Sequence, residues 1–480
     1  MRSATVSTQR NDSLAQRLSA PIDGFWLALF RIGFGVCLSI QTWWSFSRDE
    51  IQVHYIQPAH HFTWFGLDWV RPWPGDGMYL HFLVLLTASI CIAIGFRYRT
   101  ACVTYCVGFT YVFLLDKSWY LNHHYLICLL SFLAIFLPAN RQFSFDSWRY
   151  PELRRKTLPA WTLWLLRFQV GVPYFFGGIA KLNPDWLMGE PMRTWLAEKV
   201  QMQQLIFPSI WTEEWCVYFF VIGGLLLDLF LIPCLLWRRT RSAALIAMTL
   251  FHLLNYYLLS IGIFPWLMLV ATIVLFLPPE TWSRLRGRDS ESSEPASPHR
   301  THPAIATILI CHVALQILIP LRHHLYAGDT SLTRQGHHFS WRMKLNHRDV
   351  EKVFYAVNPT SGREYKLPLK TVLTRAQEPK VRDPDQILQL ARWLHDELPE
   401  RAKHFEIRAD VQISVNGREP VSFFDRDLNL LSQQRSIWPA NWVRMRLEPT
   451  WLDPFNRIKE GKEAARPDAS DNGSAGGNRE

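Results

Sequence analysis

Long apolar runs recur between residues 24 and 320 and then stop. Nine of them approach the roughly 20 residues that an α-helix needs to cross a bilayer. Their cores lie at 24–45, 79–96, 100–115, 119–138, 161–180, 215–237, 243–260, 262–279 and 303–320. Several are short, which a tilted or re-entrant helix accommodates. Residues 288–302 are rich in Ser, Glu, Asp, Pro and Arg and have too little apolar surface to fold, so they read as a disordered linker. Beyond 320 the period changes. Val353-Phe354-Tyr355-Ala356-Val357 and Glu364-Tyr365-Lys366-Leu367 flank a Pro-Thr-Ser-Gly turn, and Phe405 to Val415 pairs with Pro420 to Phe424 across Asn416-Gly417, a strong hairpin signal. Between these hairpins, Ile387, Leu388, Leu390, Ala391, Trp393 and Leu394 recur with helical spacing within 384–399. The expected fold is a membrane α-helical bundle of about nine spans plus a C-terminal extramembrane β-rich (α+β) domain. Its expected divisions are a polar segment at 1–23, a transmembrane domain at 24–282, a polar linker at 283–302, a last span at 303–320, a β-rich domain at 321–455 and a loose tail at 456–480.

Charge orients this pattern. With the N-terminus inside, the inner loops hold Arg97 and Arg99, then Arg141 to Lys156, then Arg238, Arg239 and Arg241, then Arg284 to Arg288. Every inner loop is basic, as the positive-inside rule requires, and the outer loops are rich in Trp, Phe and Tyr. An odd number of spans puts the C-terminal domain on the periplasmic or lumenal side of a multi-pass membrane protein, with a cytoplasmic N-terminus. The first run follows a polar segment with Arg2, Arg10 and Arg17 and has no small-residue cleavage site, so it reads as a span and not as a cleaved signal. The net charge of +10 then needs no nucleic-acid partner; the partner is the bilayer. All 8 cysteines lie in or beside apolar runs, none follows Cys311, and no spacing matches a zinc site, a P-loop or a dinucleotide fingerprint. No metal is expected.

Lys181 is the most informative residue. It closes the apolar run Pro173-Tyr174-Phe175-Phe176-Gly177-Gly178-Ile179-Ala180, followed by Leu182-Asn183-Pro184-Asp185-Trp186. A lysine there ordinarily snorkels its ammonium into water. However, Gly177-Gly178 lets another backbone come close, and the expected topology puts Lys181 on the same membrane face as His123, His252 and Asn255. His252 and Asn255 are three residues apart and share a helix face. Helix-bundle histidines often only hydrogen-bond a neighbour, so it is convergence on one face that makes these four candidates. Arg31, Arg167 and Asp228 also lie in apolar runs; pairing of an Arg with Asp228 is the expected reading.

These residues carry a resemblance. The chain resembles the vitamin K-dependent gamma-glutamyl carboxylases and the broader HTTM membrane family in Tyr111 to Lys117, Asn122-His123-His124-Tyr125-Leu126, Gly177 to Trp186 with Gly189, and Gly223-Gly224-Leu225-Leu226-Leu227-Asp228. It is similar again in Phe251-His252-Leu253-Leu254-Asn255 with Ser260 to Phe264, in Phe339-Ser340-Trp341-Arg342-Met343, and in Val411 to Asn416, so that residues 24–450 match in order. The resemblance implies Lys181 as the catalytic base toward a hydroquinone and His123 as its catalytic assistant. It places His252, Asn255, Asn122 and Tyr125 around the cofactor. That cofactor is reduced vitamin K, of phylloquinol or menaquinol type, with O2 and CO2 as co-substrates and a glutamate-containing peptide as acceptor. The chain departs from vertebrate members, which carry two adjacent lysines where it has Ala180-Lys181, a disulfide between outer domain and membrane part, and a longer C-terminal region.

The chemistry explains the implied cofactor. Carboxylating glutamate removes a proton from carbon, and neither His near 6.5 nor Lys near 10.4 is basic enough to take it. A cofactor must supply the base, and water must be kept out. For Lys181 to start the sequence as a neutral amine, burial away from any carboxylate must lower it, at about 4 kcal/mol. Lys181 is therefore expected in an apolar pocket with Asp185 pointing away. The alternatives are a quinol-linked membrane enzyme with a non-glutamyl substrate, a non-enzymatic membrane sensor and, more weakly, a transporter, for which no inverted repeat is visible.

Overall fold

The structure is a computed structural model describing residues 13–205, 207–259, 261–285 and 302–444. Each of the nine apolar cores falls on a helix. These are α1 (Phe25–Ser47), α2 (Gly77–Ile94), α3 (Tyr98–Leu115), α4 (Asn122–Phe136), α5 (Trp161–Lys181), α6 (Glu214–Leu236), α7 (Arg241–Leu259), α8 (Phe264–Phe276) and α9 (Pro303–Leu321). Among the described residues six are long and apolar enough to cross a membrane: α1, α2, α3, α6, α7 and α9. With 15 and 13 residues, α4 and α8 are shorter than a straight span needs. α5 is long enough but carries Arg167, Gln169 and Lys181. The helices thus establish six candidate spans, and the expected count of about nine is not confirmed. Large apolar side chains such as Phe219, Phe230, Ile246, Leu250 and Ile310 lie exposed on α6, α7 and α9. A patch of that extent requires lipid or another protein against it.

Backbone and charge fix the ends of the bundle. Strand β1 (Pro21–Asp23) pairs antiparallel with β2 (Thr157–Pro159), with Ile22 opposite Leu158, and so ties the approach to α1 to the approach to α5. Arg31 and Arg167 do not pair with Asp228. The Arg31 guanidinium donates to the carbonyls of Ile92 and Ala139 at 3.0 Å each, and Arg167 Nε donates to Leu275 O at 2.8 Å. Each arginine thus serves carbonyls at or just beyond helix C-termini, where backbone acceptors lack intrahelical partners and a cation is favoured. A chain of polar side chains runs through the bundle from His312 to Gln169 (2.7 Å), Gln316 (3.5 Å) and the Tyr125 hydroxyl (3.4 Å), fastening α9 to α5 and α4.

The C-terminal domain is a four-stranded antiparallel sheet in the order β4-β3-β5-β6, made of β3 (Arg348–Val357), β4 (Glu364–Leu367), β5 (Glu406–Val415) and β6 (Val421–Ser422). Both expected hairpins form, and β3 and β5 pair along their whole length from Arg348↔Val415 to Val357↔Glu406. Asn416 and Gly417 both have positive φ, 55° and 69°, as the tight turn after β5 demands. Along β5 the side chains of Ile407, Ala409, Val411, Ile413 and Val415 all point inward, the two-residue period of a half-buried strand. Helix α10 (Pro384–Asp396) belongs to the same core, with Asp383 and Gln386 closing a capping box at its start.

The two parts interlock. Trp341, from the segment before β3, is 0% exposed in the core of the bundle, while Phe62, from the loop after α1, is 0% exposed in the core of the C-terminal domain. Lys117 reaches Asp383 at 3.1 Å and Asp385 at 2.7 Å, and Arg435 joins Asp385 to Asp68 at 2.6 Å each. The linker expected at 283–302 is described only at 283–285, which end a short helix, and at 302; the rest of it and the tail lie outside the described residues.

Candidate active site

Lys181 is the last residue of α5, and Pro173 within that helix removes one backbone donor. Asn183 caps the next short helix, Pro184–Leu187: its side chain accepts from Trp186 N at 3.0 Å and donates to Ala180 O at 2.8 Å. This turn lays the Trp186 ring 5.1 Å from Lys181 Nζ, and Trp186 Nε1 donates to Val221 O on α6 at 3.0 Å. Against α6 the backbone comes close at Gly178, where an added Cβ would stand 2.7 Å from Leu229 Cδ2 and 3.0 Å from its backbone nitrogen. That approach brings Lys181 to Asp228. The ammonium donates to Asp228 Oδ2 in an ion pair whose members are 8% and 5% exposed.

This pair corrects two expectations. Asp228 is partnered by Lys181 and not by an arginine, and Lys181 is not isolated from carboxylates. Asp185 does point away from it: Asn416 Nδ2 donates to Asp185 at 2.6 Å, and Arg418 forms an ion pair with it.

Around the pair lies a cavity of about 880 Å³, within the range of small-molecule sites. α4 contributes Asn122 and His123, α5 Tyr174 and Lys181, α6 Asp228, and α7 His252 and Asn255. Five of the six expected site residues, Lys181, His123, His252, Asn255 and Asn122, therefore face one space. Tyr125 is not among the lining residues; it packs on Phe339 and Trp341, with ring centroids 5.0 and 5.1 Å away. His252 Nε2 shares a 2.6 Å hydrogen bond with the Tyr174 hydroxyl, while its Nδ1 is buried without a hydrogen-bond partner among the described residues. His123 is buried and makes no hydrogen bond to protein among the described residues. The rest of the membrane half of the wall is aliphatic and aromatic, including Leu227, Leu231, Phe251 and Phe264.

The other half of the wall is cationic, and sequence reasoning missed it. Arg334, Arg342, Lys344, Arg348 and Arg382 enter the lining from the C-terminal domain. Arg348, at the start of β3, is only 5% exposed, yet all three guanidinium nitrogens lack a hydrogen-bond partner among the described residues. Burial, reinforced by Arg334 and Arg382, pushes this guanidinium well below its usual range, and burial pushes Arg334 down to about 10. A buried cation without acceptors is costly, and an anionic ligand would relieve that cost. The sequence signal was faint: a lone arginine opening a strand resembles any surface arginine until the fold turns it inward.

The model of the HTTM domain matches residues 19–282, and the model of the lumenal domain of vitamin K-dependent gamma-carboxylase matches residues 301–448. No solved structure matches the chain.

Proposed function

The chain belongs to the HTTM family, in the gamma-glutamyl carboxylase group, and on that premise we propose that it couples oxidation of a vitamin K hydroquinone by O2 to carboxylation of peptidyl glutamate with CO2. One observation carries this reading. The buried Lys181–Asp228 pair sits where an apolar chamber meets a cationic wall holding Arg348, whose guanidinium has no hydrogen-bond partner among the described residues.

The residues fit such a cofactor. The aliphatic and aromatic wall suits a naphthoquinol ring and the start of its isoprenoid chain, and the buried Nδ1 of His252, without a hydrogen-bond partner among the described residues, is a polar atom waiting for a hydroxyl. When bound, the hydroquinone supplies on oxidation the strong base that no side chain provides. His123, His252 and Asn255 would orient its two oxygens.

Lys181 and Asp228 act as one unit. In the resting pair the ammonium and carboxylate neutralise each other. A proton arriving from a hydroxyl is taken at Asp228, leaving an ammonium beside a neutral acid. Lys181 then holds the negative charge left behind. A lysine made neutral by isolation is not required, because the pair accepts a proton without Lys181 ever losing its own. The Trp186 ring covers the ammonium and helps exclude water.

On the opposite wall Arg348 would receive the glutamyl carboxylate, its planar fork matching two oxygens. Arg334 and Arg382 would draw an acidic peptide to the mouth. The basic loops support an inward-facing N-terminus and a periplasmic or lumenal C-terminal domain, so the peptide approaches from that side and the quinol from the bilayer.

The test is transfer of labelled CO2 to a glutamate-rich peptide by the detergent-purified chain, with and without vitamin K hydroquinone. Quinol-dependent label in the peptide supports the proposal. Quinol consumption without label discards the glutamyl acceptor, and neither activity discards the carboxylase.

A further inference from the structure

A second cavity, of about 510 Å³, lies beside the first. Its floor is the end of α1 with Trp44 and Ser45, the π-helical turn Gln52–Ile56 with His54, the turn Lys117–Trp119, and the start of α4 with His123 and His124. Its roof is the C-terminal domain, with His338, Lys380 and Arg382. His123, Leu121, Arg334, Lys344 and Arg382 line both cavities, so the imidazole of His123 and these three cations belong to the wall between them.

Three observations define what this space accepts. First, it holds donors without acceptors. Ser118 Oγ and Trp119 Nε1 are both buried without a hydrogen-bond partner among the described residues, and Ser118 is 8% exposed. Second, its carboxylates are engaged, as is Lys117, while four of its cations have no carboxylate partner among the described residues. Glu50 accepts from the Ser45 hydroxyl at 3.0 Å, and Asp383 is held by Lys117 at 3.1 Å and caps α10. Arg334, Lys344, Lys380 and Arg382 have no carboxylate within ion-pair distance among the described residues, and Lys344 lies 5.3 Å from the Trp195 ring. Third, the imidazoles are fixed. His54 stacks on Trp119 with centroids 3.7 Å apart, and His123 and His124 are 4.6 Å apart.

We propose that this second cavity binds a small planar oxyanion of the carboxylate type, either hydrogencarbonate or the side chain of a second acidic residue. An apolar occupant would leave the buried hydroxyl and indole N–H without acceptors, and a cation would meet a wall of like charge. A trigonal oxyanion accepts from hydroxyl, indole and imidazole donors together and is drawn in by the cations at the rim. Burial pushes His54 down to about 4, so at neutral pH it offers a single N–H and contributes no charge. The site does not depend on the carboxylase reading, because it is defined by binding alone.

The test is titration of the full chain in detergent, without quinone, by 13C-labelled hydrogencarbonate and 13C-labelled acetate, read by NMR line broadening at pH 8. Saturable binding is expected. It should weaken about tenfold or more in Ser118→Ala/Trp119→Phe and also in Lys380→Ala, an exposed position whose change spares the fold. It should be unaltered in Arg348→Gln, which belongs to the first cavity alone. Displacement by a short glutamyl peptide identifies the peptide side chain as the source; retention in its presence identifies the inorganic anion. Non-saturable binding in the unaltered chain, or binding lost in Arg348→Gln and kept in the other variants, overturns the proposal.

Discussion

The carboxylate of Asp185 is tied to Arg418 at the tip of the C-terminal hairpin, and that tie holds it away from Lys181, four positions earlier in the chain. A second carboxylate beside the Lys181–Asp228 pair would leave one negative charge in excess and weaken the ammonium's hold on the negative charge left on the substrate oxygen. Arg418→Ala removes the charge partner of Asp185 and leaves it, among the described residues, only the Asn416 amide at 2.6 Å, and the rate of CO2 incorporation should fall roughly tenfold. Adding Asp185→Asn should restore most of it. A double variant no better than Arg418→Ala would show that Arg418 acts elsewhere.

Gly178 sets the spacing between α5 and α6. Gly178→Ala puts a methyl 2.7 Å from Leu229 Cδ2 and 3.0 Å from its backbone nitrogen, so the helices must part. Near-attack geometry is sensitive to shifts of about 1 Å, and a loss of about a hundredfold in rate follows. Gly171→Ala in the same helix is the control, since its added Cβ comes no closer than 3.4 Å to Ile232 and lies outside the cavity lining. Initial rates of the two variants decide the matter.

Trp341 is the anchor of the C-terminal domain in the bundle. Trp341→Ala should cost about 3–5 kcal/mol, the usual cost of removing a buried tryptophan. Limited proteolysis in detergent should then cut between the two parts faster than in the unaltered protein.

Acid should loosen the same junction. His60 stacks on Trp393 of α10 with centroids 4.9 Å apart, and burial pushes its imidazole down to about 4 from an ordinary 6.5, the nearby Asp116 opposing this only in part. Because the folded value lies below the unfolded one, the neutral ring's contribution is complete above about pH 6.5 and is lost as pH falls toward 4. Thermal unfolding between pH 7 and 4 should show a smaller decline for His60→Phe, which keeps the stack and cannot be protonated.

Much of this was legible in the chain. The apolar runs located nine helices because burial in lipid demands continuous apolar sequence. The Asn416-Gly417 turn and the alternation of β5 marked the sheet because few residues tolerate that backbone and only one strand face is buried. The convergence of His123, Lys181, His252 and Asn255 followed from helix ends and topology. Three features were not legible. The number of crossings depends on tilt, which α4 and α8 leave open. Asp228 was visible as an intramembrane carboxylate, but its partner depends on how far along α6 the end of α5 falls. Lys181 meets it 14 residues into α6, about 21 Å from Glu214 at 1.5 Å per residue. The inward turn of Arg348 depends on a long-range register, Arg348↔Val415, that no local pattern encodes.

The central claim is that Lys181 and Asp228 form one proton-accepting unit, and a double-mutant cycle tests it most directly. Quinol-dependent CO2 incorporation is measured for Lys181→Met, Asp228→Leu and the two together, at a temperature where thermal scans show every variant folded. Each single change should lower the rate at least about a hundredfold, and the pair together should lose little more than the worse single change, because residues acting as a unit are not additive. Independent losses that multiply, or Asp228→Leu near the full rate while Lys181→Met is inactive, would contradict the account and leave Lys181 as a base on its own.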